Sequence, residues 1–347
     1  GSLYKKNDIR RDSGFSFFYV GINLGAFLAP ITIGFIGETV DWHYGFAIAG
    51  VGMTLGLIQF GFGQKHLIQE DFSKKTKLLN LRDWTLITAL SILNIPIILL
   101  FLALNNIFII YFYEILCGLI AFSVILKLKR GQRKKYTYDD LKKISYISLL
   151  SVFVIFFWIG FEQAGGSLTL YANSSIDRTI FGLLIPASFF QAVNPMIIIL
   201  LGPFIAKLWL KIDKSNYSIS TAKKMGFGLI LLGSGFLLLT FASNSNTIII
   251  SFWWLIAVYF LHTLGELCLS PIGLSMVTRV SPKKLASLMM GFWFLSSAVA
   301  NYMAGKLPLI LNSLNINLFG FLTLTSFSSG LLLILIAPFI EKLINKR

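Results

Sequence analysis

Long apolar runs, broken at intervals by short polar stretches, organise this chain from end to end. A helix needs about 20 predominantly apolar residues to cross a bilayer. The pattern predicts ten such helices, at 14–37, 45–63, 84–104, 106–126, 144–173, 180–208, 222–242, 248–277, 285–310 and 317–340. The breaks carry turn and charge signals, among them Glu38, Asp41 and Trp42, the pair Asn105–Asn106, and Ser281–Pro282–Lys283–Lys284. The short alternating segments of a membrane barrel are absent from the pattern, so it predicts an all-α membrane protein.

Charge sorts by loop parity. Of the 30 Lys and Arg residues, 28 fall in alternate breaks starting with the first, and only Arg178 and Lys306 fall on the other side. Cytoplasmic loops collect Lys and Arg, so both ends of this chain are expected in the cytoplasm. One helix more or fewer would destroy the alternation. Composition agrees: 56% of residues are hydrophobic and 13% charged, about half the charged fraction of a soluble domain. The net charge of +15 is spread over many short loops, which fits membrane topology and not a nucleic-acid groove. Cys117 and Cys268 lie inside apolar runs, and His43, His66 and His262 lack ligand spacing. No disulfide framework, metal or cofactor is therefore expected. Without a Ser/His/Asp constellation or phosphate loop, an enzyme is the weakest reading.

The organisation is lopsided. Six helices follow the basic stretch 127–143, whereas two helices and a tight hairpin, 84–126, precede it. Transporters are often built from matched helical halves with the site between them. The expected units are therefore a two-helix remnant of an N-terminal half (1–63), linkers carrying the inserted hairpin (64–143), and a six-helix C-terminal half (144–347). The chain begins with Gly1, and the expectation is that four further helices lie upstream.

Two carboxylates interrupt the apolar runs: Glu162 in 144–173 and Glu266 in 248–277. An ionisable group at that depth costs at least ~2.5 kcal/mol and usually faces a bundle interior or aqueous cavity. Glu162 is followed by Gln163, Gly165 and Gly166, a combination expected to loosen the helix where freed carbonyls line a cavity. His262, Glu266 and Ser270 are spaced by four, so they stack on one helical face, beside Pro271, which is expected to kink the helix. Such a stripe suits a ligand ammonium, while His262 by itself reads as a hydrogen-bonded core residue. Gln191 and Asn194–Pro195 form a second polar-and-kink feature. Trp293, Ser296 and Ser297 supply an aromatic wall and hydroxyls, although Trp293 alone reads as a packing residue. In the first helix Gly21, Gly25 and Ala29 form a ridge of small residues. Asn23 projects elsewhere, either into a cavity or as interhelical hydrogen-bonding glue. Glu114 and Asn94, at matching depth in the hairpin, read as a structural pair.

These motifs, in this order, resemble one family. Arg11–Asp12–Ser13–Gly14–Phe15, then Phe18 through Phe27, resemble a signature of the proton-dependent oligopeptide transporter family. Trp158–Gln163, Phe190–Pro195, Gly265–Ser275 and Trp293–Ser297 are similar to later family segments. The resemblance implies a partial major facilitator superfamily fold, with ten transmembrane helices here including the inserted hairpin. It implies a plasma-membrane symporter, monomeric, whose partners are di- and tripeptides, protons and lipid. By matched position Glu266 and Asn194 would receive the peptide amino terminus and Asn23 its backbone or carboxyl end. Ser270, Trp293, Ser297 and Gln191 would line the pocket. Glu162 would pair with an upstream basic residue until protonation releases a gate. Where the family often has a second acid before this one, the chain has Phe161. Rival expectations are another small solute, such as nitrate or a drug-like molecule, or a truncated, transport-inactive scaffold.

Overall fold

The computed structural model describes residues 10–67, 137–215, 219–243, 249–282 and 285–344. The first elements are α1 (Arg10–Ala29), a π-helical turn (Pro30–Gly34), α2 (Phe35–Thr39) and α3 (Trp42–Leu67). Then come α4 (Tyr138–Phe161), a 3₁₀ turn (Glu162–Gly165) and α5 (Ser167–Ser175). Short strands β1 (Ile176–Asp177), β2 (Thr179–Ile180) and β3 (Leu183–Leu184) lead to a second 3₁₀ turn (Ala187–Ala192) and α6 (Val193–Asp213). The remaining elements are α7 (Thr221–Ser243), β4 (Ile250–Ser251), α8 (Phe252–Val280), α9 (Ala286–Ser313) and α10 (Leu318–Glu341).

Eight helical segments among the described residues are long and apolar enough to cross a membrane, and each falls on one of the expected runs. The expected hairpin 84–126, with Asn94 and Glu114, lies outside the described residues. The described elements up to Leu57 and from Tyr138 onward belong to one compact unit. Large apolar side chains stay outward, such as Phe46, Met53 and Leu57 on α3 and Leu331 and Leu335 on α10. That is how a surface facing lipid tails looks, since every backbone group is already satisfied inside the helix.

Prolines and glycines decide where the helices depart from the expected runs. The run 14–37 is not one regular helix: at Pro30, which has no N–H to give, it passes through the π-helical turn. The run 144–173 breaks at Glu162–Gly165, as the polar residues and glycines there predict. The run 180–208 needs correction. Residues 180–186 are not helical, because Phe181 and Gly182 take positive φ (51° and 79°) between β2 and β3. Helical structure starts only after Pro186. Pro195 therefore kinks nothing: it sits in the first turn of α6, where a missing N–H costs no intrahelical bond. β1 and β4 pair in parallel, Ile176 opposite Ile250, and tie the loops before α6 and α8 together.

The core centres on α7, whose Met225, Leu229, Leu232, Phe236 and Leu239 are fully buried. Between membrane helices close packing replaces the hydrophobic drive, and small residues permit it. A Cβ on Gly228 would lie 2.7 Å from the Gly265 carbonyl oxygen of α8, and a Cβ on Gly330 of α10 would lie 2.8 Å from that of Gly226. Both contacts need a residue with no side chain. They press α8 and α10 onto α7 and fix which face of each turns away from it.

Candidate functional site

The first acid sits on the broken helix. α4 is regular to Phe161, tightens at Glu162–Gly165, and restarts as α5 at Ser167. Gln163 points inward, 2% exposed. Its Nε2 donates to the Ile159 and Ala304 carbonyls (3.1 Å each), and its Oε1 accepts from the Ser167 hydroxyl at 2.7 Å. Glu162 turns the other way. It is exposed at the edge of a cavity of about 240 Å³ that Gln191, Asn194, Tyr259 and His262 also line.

The second acid sits on α8. Gly265 is held against α7 by the Gly228 contact, so the next residue, Glu266, projects toward α6. There Asn194 Nδ2 donates to Glu266 Oε2 at 2.8 Å and to the Thr263 hydroxyl at 3.0 Å. Asn194 can reach because it lies in the first turn of α6, just after the 3₁₀ turn, where Gln191 donates to the Thr169 hydroxyl of α5 at 3.0 Å. The Asn194 donors are thus turned to α8. Its Oδ1 and the other Glu266 oxygen have no hydrogen-bond partner among the described residues. These oxygens can accept hydrogen bonds from a group that carries N–H donors.

Of the residues expected at the site, the structure brings Glu162, Gln191 and Asn194 together around the small cavity, and Glu266, which does not line it, joins them through its hydrogen bond from Asn194. Asn23, 6% exposed, lines a different and larger cavity of about 970 Å³, with Val20, Trp209, Ser275 and Arg279. Ser270 and Ser297 are half-buried, and neither lines either cavity. Trp293 lines neither cavity as well. It is 4% exposed, with its ring lying on Gly273 of α8, where there is no Cβ to hold it off. The wall expected of it is a packing contact, and the buried hydroxyl beside it is Ser296, which donates to the Trp293 carbonyl. His262 touches the small cavity, but its ring edge packs on Gly235 and its ring lies tilted at 52° against Phe236 (centroids 4.6 Å apart). The ring is buried as a core residue's is, but its Nε2 has no hydrogen-bond partner among the described residues, so the hydrogen-bonded part of that expectation is not met at that atom.

Three contributors escaped the sequence reading. Thr263 and Thr169 accept from Asn194 and Gln191, and a lone threonine in an apolar run carries no signal of that role. Glu38 reads as a turn marker, yet its carboxylate accepts the Ala187 and Ser188 N–H groups at 2.8 and 2.7 Å. It thereby satisfies free donors at the start of the 3₁₀ turn that leads into α6.

Comparison with known proteins identifies the family. A family model described as the POT family matches residues 1–321. The peptide transporter YePEPT of Yersinia enterocolitica is 36% identical over 324 residues, covering 88% of this chain and 62% of the relative. A di-/tripeptide transporter of Lactococcus lactis is 31% identical over 358 residues, covering 99% of this chain and 72% of the relative. A crystal structure of a peptide transporter POT in complex with sulfate superposes with a TM-score of 0.82 at 32% identity, covering 99% of this chain and 71% of that one. The chain thus spans about two thirds of the length of these relatives. It is a multi-pass membrane protein with the major facilitator fold, and it belongs to the POT family of transporters.

Proposed function

We propose that this chain is part of a symporter that carries di- and tripeptides into the cell together with protons. The observation that carries the reading is the Asn194–Glu266 hydrogen bond beside a cavity shared with Glu162. Relatives named as peptide transporters support the substrate class.

In this reading Glu266 and Asn194 take the peptide's ammonium, and Asn23 holds its backbone or carboxyl end. Gln191 borders the amino-terminal pocket, with Ser270 and Ser297 along the walls and Trp293 shaping them through α8. Glu162 is the proton-linked gate. Ionised, it attracts a basic residue of the other helical half; protonated, it releases that residue, and the halves separate on one face. A bound zwitterion bridges acidic and basic walls and favours the occluded form. A ligand shifts such an equilibrium only by its differential affinity for the two states. The membrane potential adds about 2.3 kcal/mol per charge per 100 mV, which inward proton flow uses. The helical units are those expected from the sequence: 1–63, 64–143 with its hairpin, and 144–347. Both ends of the chain face the cytoplasm, the membrane is the plasma membrane, and the protein acts as a monomer.

The test is uptake of labelled dialanine by the full-length protein in proteoliposomes with an inward proton gradient. Gradient-dependent uptake, abolished by Glu266→Gln, is the expected result. Absence of dialanine uptake, or full uptake by the Glu266→Gln protein, defeats the proposal.

A further inference from the structure

One side chain joins two helix defects. α9 contains Pro308. Proline has no N–H, so the carbonyl four residues earlier loses its helical donor, and that carbonyl belongs to Ala304. The donor that replaces it is Gln163 Nε2, at 3.1 Å. The same amide group gives its other hydrogen to the Ile159 carbonyl, and its oxygen takes the Ser167 hydroxyl. Gln163 thus ties together the last turn of α4, the first of α5 and the proline turn of α9. It adjoins Glu162, and Gly165 and Gly166 follow, with open space where their side chains would be.

We propose that Gln163 is a positioning residue for Glu162, holding that carboxylate at the small cavity and coupling its protonation to movement of α9 at the Pro308 turn. The proposal rests on the reading of Glu162 as the proton-linked group. A side chain that only filled a bonding vacancy could be replaced by restoring the missing backbone donor, whereas a coupling element could not. The groups facing Glu162 frame the same question. α8 presents Glu266, Tyr259 and His262, and α6 with its preceding turn presents neutral Asn194 and Gln191. α1 with its following turn presents apolar Ala26 and Pro30. α9 carries Lys306 two residues past Ala304, its ammonium 5.8 Å from the Tyr302 ring centre. A displaced Glu162 changes its place among the groups that line the small cavity.

The experiment compares the full-length protein with Gln163→Met, Pro308→Ala and the double variant in proteoliposomes. Methionine keeps the volume and removes the bonds. Alanine at 308 returns an N–H to the Ala304 carbonyl. Four properties are read: melting temperature, gradient-driven dialanine uptake, dialanine counterflow without a gradient, and the pH titration of the Glu162 carboxyl band in infrared difference spectra, assigned with Glu162→Gln. Gln163→Met is expected to lower the melting temperature and Pro308→Ala to restore it in the double variant. The double variant should keep counterflow yet lose gradient-driven uptake by about tenfold or more. Its Glu162 titration should be displaced by about one pH unit, the size of one altered hydrogen bond. A double variant with natural uptake and an unmoved titration overturns the proposal. If the protein moves no dialanine in either mode, the substrate assignment fails, and the infrared titration still decides the role of Gln163. If the double variant does not fold, Ser167→Ala, which removes one of the three bonds, takes its place, and an unmoved titration there overturns the proposal equally.

Discussion

Asn194 donates to Glu266 at 2.8 Å and to Thr263 at 3.0 Å, which ties the start of α6 to the middle of α8. The contact spends donors and spares acceptors, and in the proposed function those acceptors take the peptide's ammonium. Hydrogen bonds to a charged group contribute about 1.5–3 kcal/mol each. Asn194→Ala is therefore expected to weaken dialanine binding about ten- to hundredfold. Competition for uptake measures it, and unchanged half-inhibition would remove Asn194 from the site.

Glu266 is expected to read the charge of the amino terminus. The natural protein should prefer dialanine to N-acetyl-dialanine, and Glu266→Gln should erase that preference by weakening only the charged ligand. Competition curves for the two compounds with both proteins check this. A preference that survives the substitution would place ammonium recognition elsewhere.

The Gly228–Gly265 contact holds α8 against α7, and a Cβ there would lie 2.7 Å from a backbone oxygen. Backbone cannot rotate aside, so Gly228→Leu must separate the helices. Overpacking of this kind costs about 1–3 kcal/mol. A lowered melting temperature in detergent is expected, together with weaker dialanine binding because Glu266 moves with the helix.

Pro195 makes the opposite case. It lies in the first turn of α6, so Pro195→Ala is expected to change stability by less than about 0.5 kcal/mol and to leave uptake intact. A large loss of stability or uptake would mean that the ring does more than occupy a helix start.

Glu38 caps the turn before α6 with two N–H bonds. Removing a cap of this type costs about 0.5–2 kcal/mol. Glu38→Ala is expected to lower the melting temperature accordingly. Glu38→Gln, which keeps one acceptor oxygen, should fall between.

The amino-acid sequence by itself determined the class and most of the helices. About 20 apolar residues per crossing is a property of the bilayer, so each described span lies on a run visible in the chain. Acids within apolar runs were equally legible, because a charge in such a run is costly enough to need a reason. Helix ends were less so. The pattern carried 180–208 through a segment that Phe181, Gly182 and Pro186 keep out of helix. Hydrophobicity does not register backbone geometry.

Only the tertiary structure decided what each polar side chain meets. Asn194 and Glu266 stand 72 residues apart and Gln163 and Ala304 141 apart; the first pair meets on a helix held by the Gly228–Gly265 contact, the second at a carbonyl that Pro308 leaves without its helical donor. Trp293 went to the core because Gly273 left space for its ring, and Thr263 became a partner because Asn194 reached it. Spacing along a helix fixes which residues share a face, but the direction of that face is set by the neighbouring helix, through contacts between residues far apart in the chain.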